Sequence, residues 1–156
     1  MAAMLAALLV NGCTAKPIPR GYAGPTAFVS DSATAHGPTL AEFFVLSKIE
    51  GKRIDESVGM TDIAYDGGGP EFEPLVEERE LPAKPMTVSI KAQTYHGPHY
   101  WFLLDKELRV EGVVSFAPQP GEHYVVKGTL AADYSAVWIE DSRGATATAK
   151  VEKRGH

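Results

Sequence analysis

The sequence is poor in cysteine, and Cys13 is the only one among its 156 residues. A single cysteine excludes an internal disulfide, so the stability of the fold has to come from the burial of apolar side chains. The length is enough for one domain and short for two. Hydrophobic residues make up 44% and charged residues 22%, which is typical of a globular protein and argues against disorder.

Positive charge is also scarce. The chain has 15 Lys and Arg against 20 Asp and Glu, which gives a formal net charge of −5. Nucleic acid and anionic lipid head groups both require clustered basic residues, so the composition disfavours both as partners. No Lys or Arg precedes Lys16, although a secretory signal normally begins with positive charge.

The N-terminus lacks an apolar run long enough to cross a bilayer, which needs ~20 residues. The run from Ala2 to Val10 is instead typical of the apolar core of a secretory signal peptide. It ends at a polar, turn-forming Asn11-Gly12, and Cys13 follows directly. We therefore predict that residues 1–12 are a signal peptide.

Val10-Asn11-Gly12-Cys13 resembles the lipobox of bacterial lipoproteins, in which an aliphatic residue and two small residues precede an invariant cysteine. The resemblance implies cleavage before Cys13, a diacylglyceryl thioether on its sulfur and an acyl chain such as palmitate on the new N-terminus. Several acyl chains anchor stably, because each buried CH₂ contributes ~0.8 kcal/mol and one chain binds only marginally. By the sorting rule of the family, Thr14 implies the outer membrane of a Gram-negative cell, with the protein facing the periplasm.

The remaining chain divides into two predicted parts. Residues 13–25 contain recurring Pro and Gly with little apolar periodicity, which predicts an extended lipidated tether. Residues 26–156 are predicted to form a single β-sandwich domain.

Alternating apolar and polar residues predict short strands separated by turns. The predicted strands are 26–30, 43–49, a return strand beginning at Arg53, 86–92, 108–116, 124–130, 135–140 and 145–151. Residues 31–38 are predicted to be a loop, 61–85 to be the least structured region, and 99–104 to be either a strand or a helical turn. This spacing indicates an all-β fold, an antiparallel β-sandwich of the immunoglobulin-like or transthyretin-like kind, with a barrel as the alternative.

Three segments of the domain are notable, namely Tyr124-Val-Val-Lys-Gly128, Val137-Trp-Ile-Glu-Asp141 and Arg79-Glu-Leu-Pro-Ala83. Together they resemble segments of a family of small, uncharacterised lipoproteins of Gram-negative bacteria. The resemblance implies no known activity, and it agrees with the lipobox at Cys13.

Two groups of residues are candidates for metal binding. His96 and His99 flank a turn and are suited to share one Zn²⁺ or Cu²⁺, but the sequence offers no nearby third or fourth ligand. Asp62, Asp66 and the glutamates from Glu71 to Glu80 carry oxygen ligands suited to Ca²⁺, without the spacing of an EF-hand. A solvated acidic loop is the favoured interpretation of the second group, and we predict no cofactor.

Recognisable catalytic motifs are missing. The sequence contains neither a Gly-x-Ser-x-Gly elbow nor a Gly-Lys-Ser/Thr phosphate loop. Trp138 lies in an apolar strand and is predicted to pack in the core, although an exposed Trp is suited to bind a sugar or a peptide.

These observations predict a non-enzymatic lipoprotein that binds or braces another envelope component. The first alternative is a periplasmic inhibitor or immunity protein, whose acidic Glu71–Glu80 segment occludes the basic active site of a hydrolase or toxin. A weaker alternative is a metal-binding periplasmic protein that uses His96 and His99. The predicted partners are the membrane, through Cys13, and a protein or other envelope component.

Overall fold

The computed structural model describes residues 14–97 and 107–155. Within these ranges the chain forms ten strands and one short helix. The strands are β1 (Thr26–Ser30), β2 (Ser32–Ala35), β3 (Ala41–Ile49), β4 (Lys52–Arg53), β5 (Glu78–Pro82), β6 (Met86–Tyr95), β7 (Arg109–Phe116), β8 (His123–Leu130), β9 (Tyr134–Asp141) and β10 (Val151–Arg154), and the helix is α1 (Ser57–Tyr65).

The strands form two sheets. The first sheet has the order β10-β9-β8-β1-β5, and the second has the order β2-β3-β6-β7 with β4 paired to β3. Neighbouring strands are antiparallel except for β1 and β8, which are parallel. The chain passes from the first sheet to the second at Asp31, between β1 and β2.

The two sheets pack face to face over a core of alternating apolar residues. The largest fully buried side chains of this core include Leu46, Leu81, Ile90, Phe116 and Ile139. Ile90 and Phe116 come from strands in which apolar residues recur with a period of two, because every second side chain points to the same face. Leu46 comes from β3, whose start is apolar on both faces. The predicted all-β sandwich is confirmed, and within the described ranges the two sheets do not close into the alternative barrel.

Two of the predicted loops are wrong. Ser32–Ala35 forms β2 inside the predicted loop 31–38, and the predicted least structured region 61–85 contains most of α1 and all of β5. The helix has nine residues, about two and a half turns, and Val58 is its only apolar residue in the buried set. Because the other two buried positions are polar, Ser57 and Thr61, no apolar periodicity reveals the helix.

The last strand also differs from its prediction. The sequence predicts a strand at 145–151, but the regular strand is β10, Val151–Arg154, and before it Thr146 forms an isolated bridge to Glu140. This strand is short and mostly exposed at the edge of the first sheet, so its sequence carries little alternation.

Helix α1 and the segment that follows it form a third layer over part of the second sheet. They enclose a small second core made by Ala41, Phe43, Val45, Val58 and Phe72. Tyr95 packs edge-on against both Phe43 and Phe72, with ring centroids 5.9 and 5.0 Å apart. The layer covers the aromatic half of the outer face of this sheet, and charged residues occupy the neighbouring half.

Candidate functional site

The predicted lipidation and metal sites lie largely outside the described ranges. Cys13 and His99 both fall outside them, while His96 directly follows β6. Among the described residues, no three His, Cys, Asp or Glu side chains come together as a metal site. The His96–His99 site stays a prediction, which elemental analysis of the purified protein tests.

The acidic segment from Glu71 to Glu80 is fixed to the domain rather than extended into solvent. Phe72 is buried in the second core, and the amides of Leu75 and Glu77 donate hydrogen bonds to the hydroxyls of Thr61 and Ser57 at 3.0 and 2.8 Å. Such side-chain acceptors replace the backbone partners that an irregular segment lacks. The segment therefore presents its glutamates from a defined position.

A buried ion pair is the centre of this fixation. Both Asp31 and Arg79 are almost fully inaccessible to solvent, and Arg79 donates two hydrogen bonds to the Asp31 carboxylate. The carboxylate also accepts hydrogen bonds from the amide of Leu46 and from the amide and hydroxyl of Ser57. A buried charge needs this number of partners to offset its lost hydration. We interpret the pair as structural, because it has no access to a substrate.

A polar cleft of about 370 Å³ lies between α1 and the charged half of the second sheet. Four basic side chains line it, namely Lys48, Arg53, Lys91 and Arg109. Three acidic side chains do so as well, namely Asp55, Glu56 and Glu111. We take this charged cleft as the candidate binding site, because concave sites with convergent polar groups are where ligands bind.

Strand geometry brings the charged residues of the cleft together. Lys91 on β6 pairs with Glu111 on β7, so their side chains lie on the same face. A register shift in β3 between Leu46 and Lys48 pairs Lys48 with Ser89, two residues from Lys91 on that face. The shift thus directs a second lysine into the cleft.

Two of the acids are already paired with bases. Lys91 Nζ lies 2.6 Å from Glu56 Oε1 with only 9% of the lysine side chain exposed, and Arg109 Nη2 lies 2.7 Å from Glu111 Oε2. The hydrogen bond from Arg109 lowers the pKa of Glu111, and the charges of Arg109, Lys91 and Lys48 lower it further against the opposing effect of burial. Glu111 is therefore held in its ionised form by the surrounding cations.

The first described residues of the chain, Thr14 and Ala15, lie next to this cleft. Thr14, the residue after Cys13, is part of the cleft wall. The amide of Ala15 donates a hydrogen bond to the carbonyl oxygen of Arg53 on β4, with an N to O distance of 2.7 Å. The predicted tether is thus held to the domain next to the cleft at its first two described residues.

The prediction that Trp138 packs in the core is wrong. Its neighbours Val137 and Ile139 are fully buried, so the alternation of β9 directs Trp138 to the outer face of the first sheet, where it is half-buried. Its Nε1 donates to Glu140 at 2.8 Å, and Lys150 Nζ lies 4.2 Å from its ring centroid. The ring face is thus occupied by a cation from the same chain.

Comparisons with known proteins do not extend this description. Protein-family models, curated proteins and solved structures all gave no match to the chain. In the ranges 14–97 and 107–155, no helix has the length and apolar character needed to cross a membrane. The resemblance of Val10-Asn11-Gly12-Cys13 to a lipobox stays a prediction from the sequence.

Proposed function

We propose that this protein is a non-enzymatic lipoprotein of the outer membrane, anchored through Cys13, that acts as a binding module in the cell envelope. The resemblance to a lipobox supports the anchor. The observation that carries the proposal is the position of Thr14 in the wall of the charged cleft. Because consecutive Cα atoms are about 3.8 Å apart, a lipid on Cys13 would be attached one residue away from that wall.

This connection favours a role at the membrane surface. Acyl chains on Cys13 would insert into one leaflet, and the hydrogen bond from Ala15 to Arg53 would keep the cleft close to that leaflet. The cleft would then meet ligands at the lipid surface rather than far out in the periplasm. Two of the acidic side chains of the cleft, Glu56 and Glu111, form salt bridges with Lys91 and Arg109. We interpret this arrangement of paired charges as suited to binding.

A Cys13→Ser variant tests the anchor. We expect the wild type to take up labelled palmitate and to sediment with membranes, and we expect the variant to lose the label and to retain its signal peptide. Thr14→Ser is the matched control, because it changes the adjacent residue and keeps the cysteine. A Cys13→Ser protein that is still fully membrane-bound and normally cleaved would contradict the proposal.

A second candidate function, an inhibitor or immunity protein, is favoured by the acidic segment. Leu75 and Val76 are 39% and 53% exposed and lie between the exposed Glu73 and Glu78. An apolar tip flanked by acids, held in place by buried hydrogen bonds, is suited to enter a basic active site. If this function is correct, Leu75→Asp will abolish inhibition of the target hydrolase or toxin, and pull-downs that recover no such protein count against it.

A further inference from the structure

The cleft next to Thr14 carries more positive than negative charge in a chain whose net charge is −5. Glu56 is engaged by Lys91 and Glu111 by Arg109. Lys48 and Arg53 form no ion pair with any residue that the structure describes. We infer that this cleft binds the phosphate group of a membrane lipid, with Lys48 and Arg53 as its main ligands.

The charge distribution supports an anionic ligand. Lys91 is nearly buried and its Nζ lies 2.6 Å from Glu56 Oε1, so its ammonium group has a fixed position in the cleft wall. The pKa of Glu111 is lowered mainly by the hydrogen bond from Arg109, and the charges of Lys91 and Lys48 add to this effect. With four basic side chains and three acidic ones, Asp55 included, the cleft has one excess positive charge, which a phosphodiester that accepted hydrogen bonds from Arg53 and Lys48 would balance. The net charge of the whole chain disfavours anionic head groups, but it does not reflect the local excess of positive charge in the cleft.

The surroundings of the cleft favour a lipid as the source of the phosphate. On the helix side, Met60 and Ile63 line the cleft with 41% and 76% of their surfaces exposed. Apolar side chains next to cations match the glycerol and upper acyl region next to a phosphate. The volume is at the lower end of the range for small-ligand sites, which suits a head group. The choice of a lipid over free phosphate rests on the proposed anchor at Cys13.

The test uses the mature protein, expressed from the complete sequence and purified from membranes in a non-ionic detergent. Isothermal titration calorimetry compares dihexanoyl phosphatidylglycerol, inorganic phosphate and dihexanoylglycerol, which lacks phosphate. The variant Lys48→Gln/Arg53→Gln removes the two cations that form no ion pair within residues 14–97 and 107–155. The control Lys153→Gln/Arg154→Gln removes the same two charge types from exposed positions on β10, in the other sheet. Equal Tm values for the proteins establish that both variants fold.

We expect the phospholipid to bind and the phosphate-free lipid to show no binding. The Lys48/Arg53 variant should bind the phospholipid on the order of tenfold more weakly, and the control should match the wild type. Equal affinity for inorganic phosphate would overturn the lipid assignment. Absence of phospholipid binding, or an equal loss in the control, would overturn the site itself. The anchor is tested separately, since both variants keep Cys13. If the wild-type protein is attached to the membrane but binds no phospholipid, this inference alone is overturned. If the wild-type protein carries no lipid anchor, the proposed function is overturned.

Discussion

Arg79 donates hydrogen bonds from Nη1 and Nη2 to the two carboxylate oxygens of Asp31, at 2.7 and 2.8 Å, and both side chains are buried. Asp31 lies where the chain passes between the two sheets, and Arg79 lies on β5 at the end of the acidic segment. A further hydrogen bond joins Arg79 to the carbonyl oxygen of Asp55. The pair therefore connects the first sheet, the second sheet and the start of α1.

Replacing Arg79 with Met should destabilise the protein strongly. The Asp31 carboxylate would keep its buried position and lose its only cationic partner among the described residues. Breaking a buried pair in this way costs about 3–5 kcal/mol. Urea denaturation followed by circular dichroism measures the change in the free energy of unfolding.

Arg143→Met is the matched control for that prediction. Arg143 also pairs with an aspartate, Asp141, at 2.8 Å, but 84% of its side chain is exposed. Exposed pairs contribute about 0–1 kcal/mol, so this variant should unfold close to the wild type. Equal losses for the two arginine variants would show that the Asp31–Arg79 pair has no special structural role.

Thr61→Val should loosen the acidic segment locally. The Thr61 hydroxyl accepts the hydrogen bond from the amide of Leu75, and valine has the same shape without an acceptor. Leaving this amide without its partner costs about 1–3 kcal/mol. Hydrogen exchange should become on the order of tenfold faster at Leu75, and Thr129→Val, at an exposed position of β8, should leave it unchanged. Unaltered exchange at Leu75 in Thr61→Val would refute this role of the hydroxyl.

Two glycine variants should change stability in opposite directions. A Cβ on Gly128 would lie 2.6 Å from Phe44 Cδ1 and against the carbonyl oxygen of Ala136, so Gly128→Ala should cost about 1–3 kcal/mol by overpacking.

A Cβ on Gly59, within α1, meets no atom within 4 Å. Gly59→Ala should therefore add about 0.5–1 kcal/mol through its higher helix propensity. Thermal unfolding measures both, and a stable Gly128→Ala would contradict the described packing of Phe44.

The charge of Glu111 should depend on Arg109. Because the folded pKa of Glu111 is lowered, its contribution to stability is present above the unfolded value of 4.5 and is lost as the pH falls through the folded pKa. In Arg109→Gln we expect the pKa of Glu111 to rise toward 4.5. The free energy of unfolding should then depend less on pH below that value. A carboxyl titration by NMR measures the pKa, with Lys153→Gln as a control on the other sheet. An unchanged pKa in Arg109→Gln would show that the hydrogen bond does not hold the charge.

The sequence predicts those strands in which apolar and polar residues alternate within the strand itself. Met86 to Ala92 alternates between the two faces of the second sheet, and the structure places a strand there. Helix α1 has no recognisable sequence pattern, because two of its three buried residues, Ser57 and Thr61, are polar. The acidic segment is predicted to be unstructured because its buried anchors, Phe72 and Arg79, are scattered among exposed glutamates, whose contact with solvent the structure confirms.

The candidate site was not predictable in the same way. Lys48, Arg53, Lys91 and Arg109 come from four strands, and they meet only after the second sheet has formed. Lys91 appeared as the polar member of an alternating strand, without any sign that α1 and Glu56 would bury it. Pairing across strands, rather than any local motif, creates the cleft.

The mass of the N-terminal peptide, measured on protein purified from membranes, tests the proposed anchor most directly. Cleavage and lipidation predict a peptide that begins at Cys13 and carries a diacylglyceryl group and an amide-linked acyl chain. A peptide that begins at Met1 and contains an unmodified Cys13 thiol would contradict the proposed anchor.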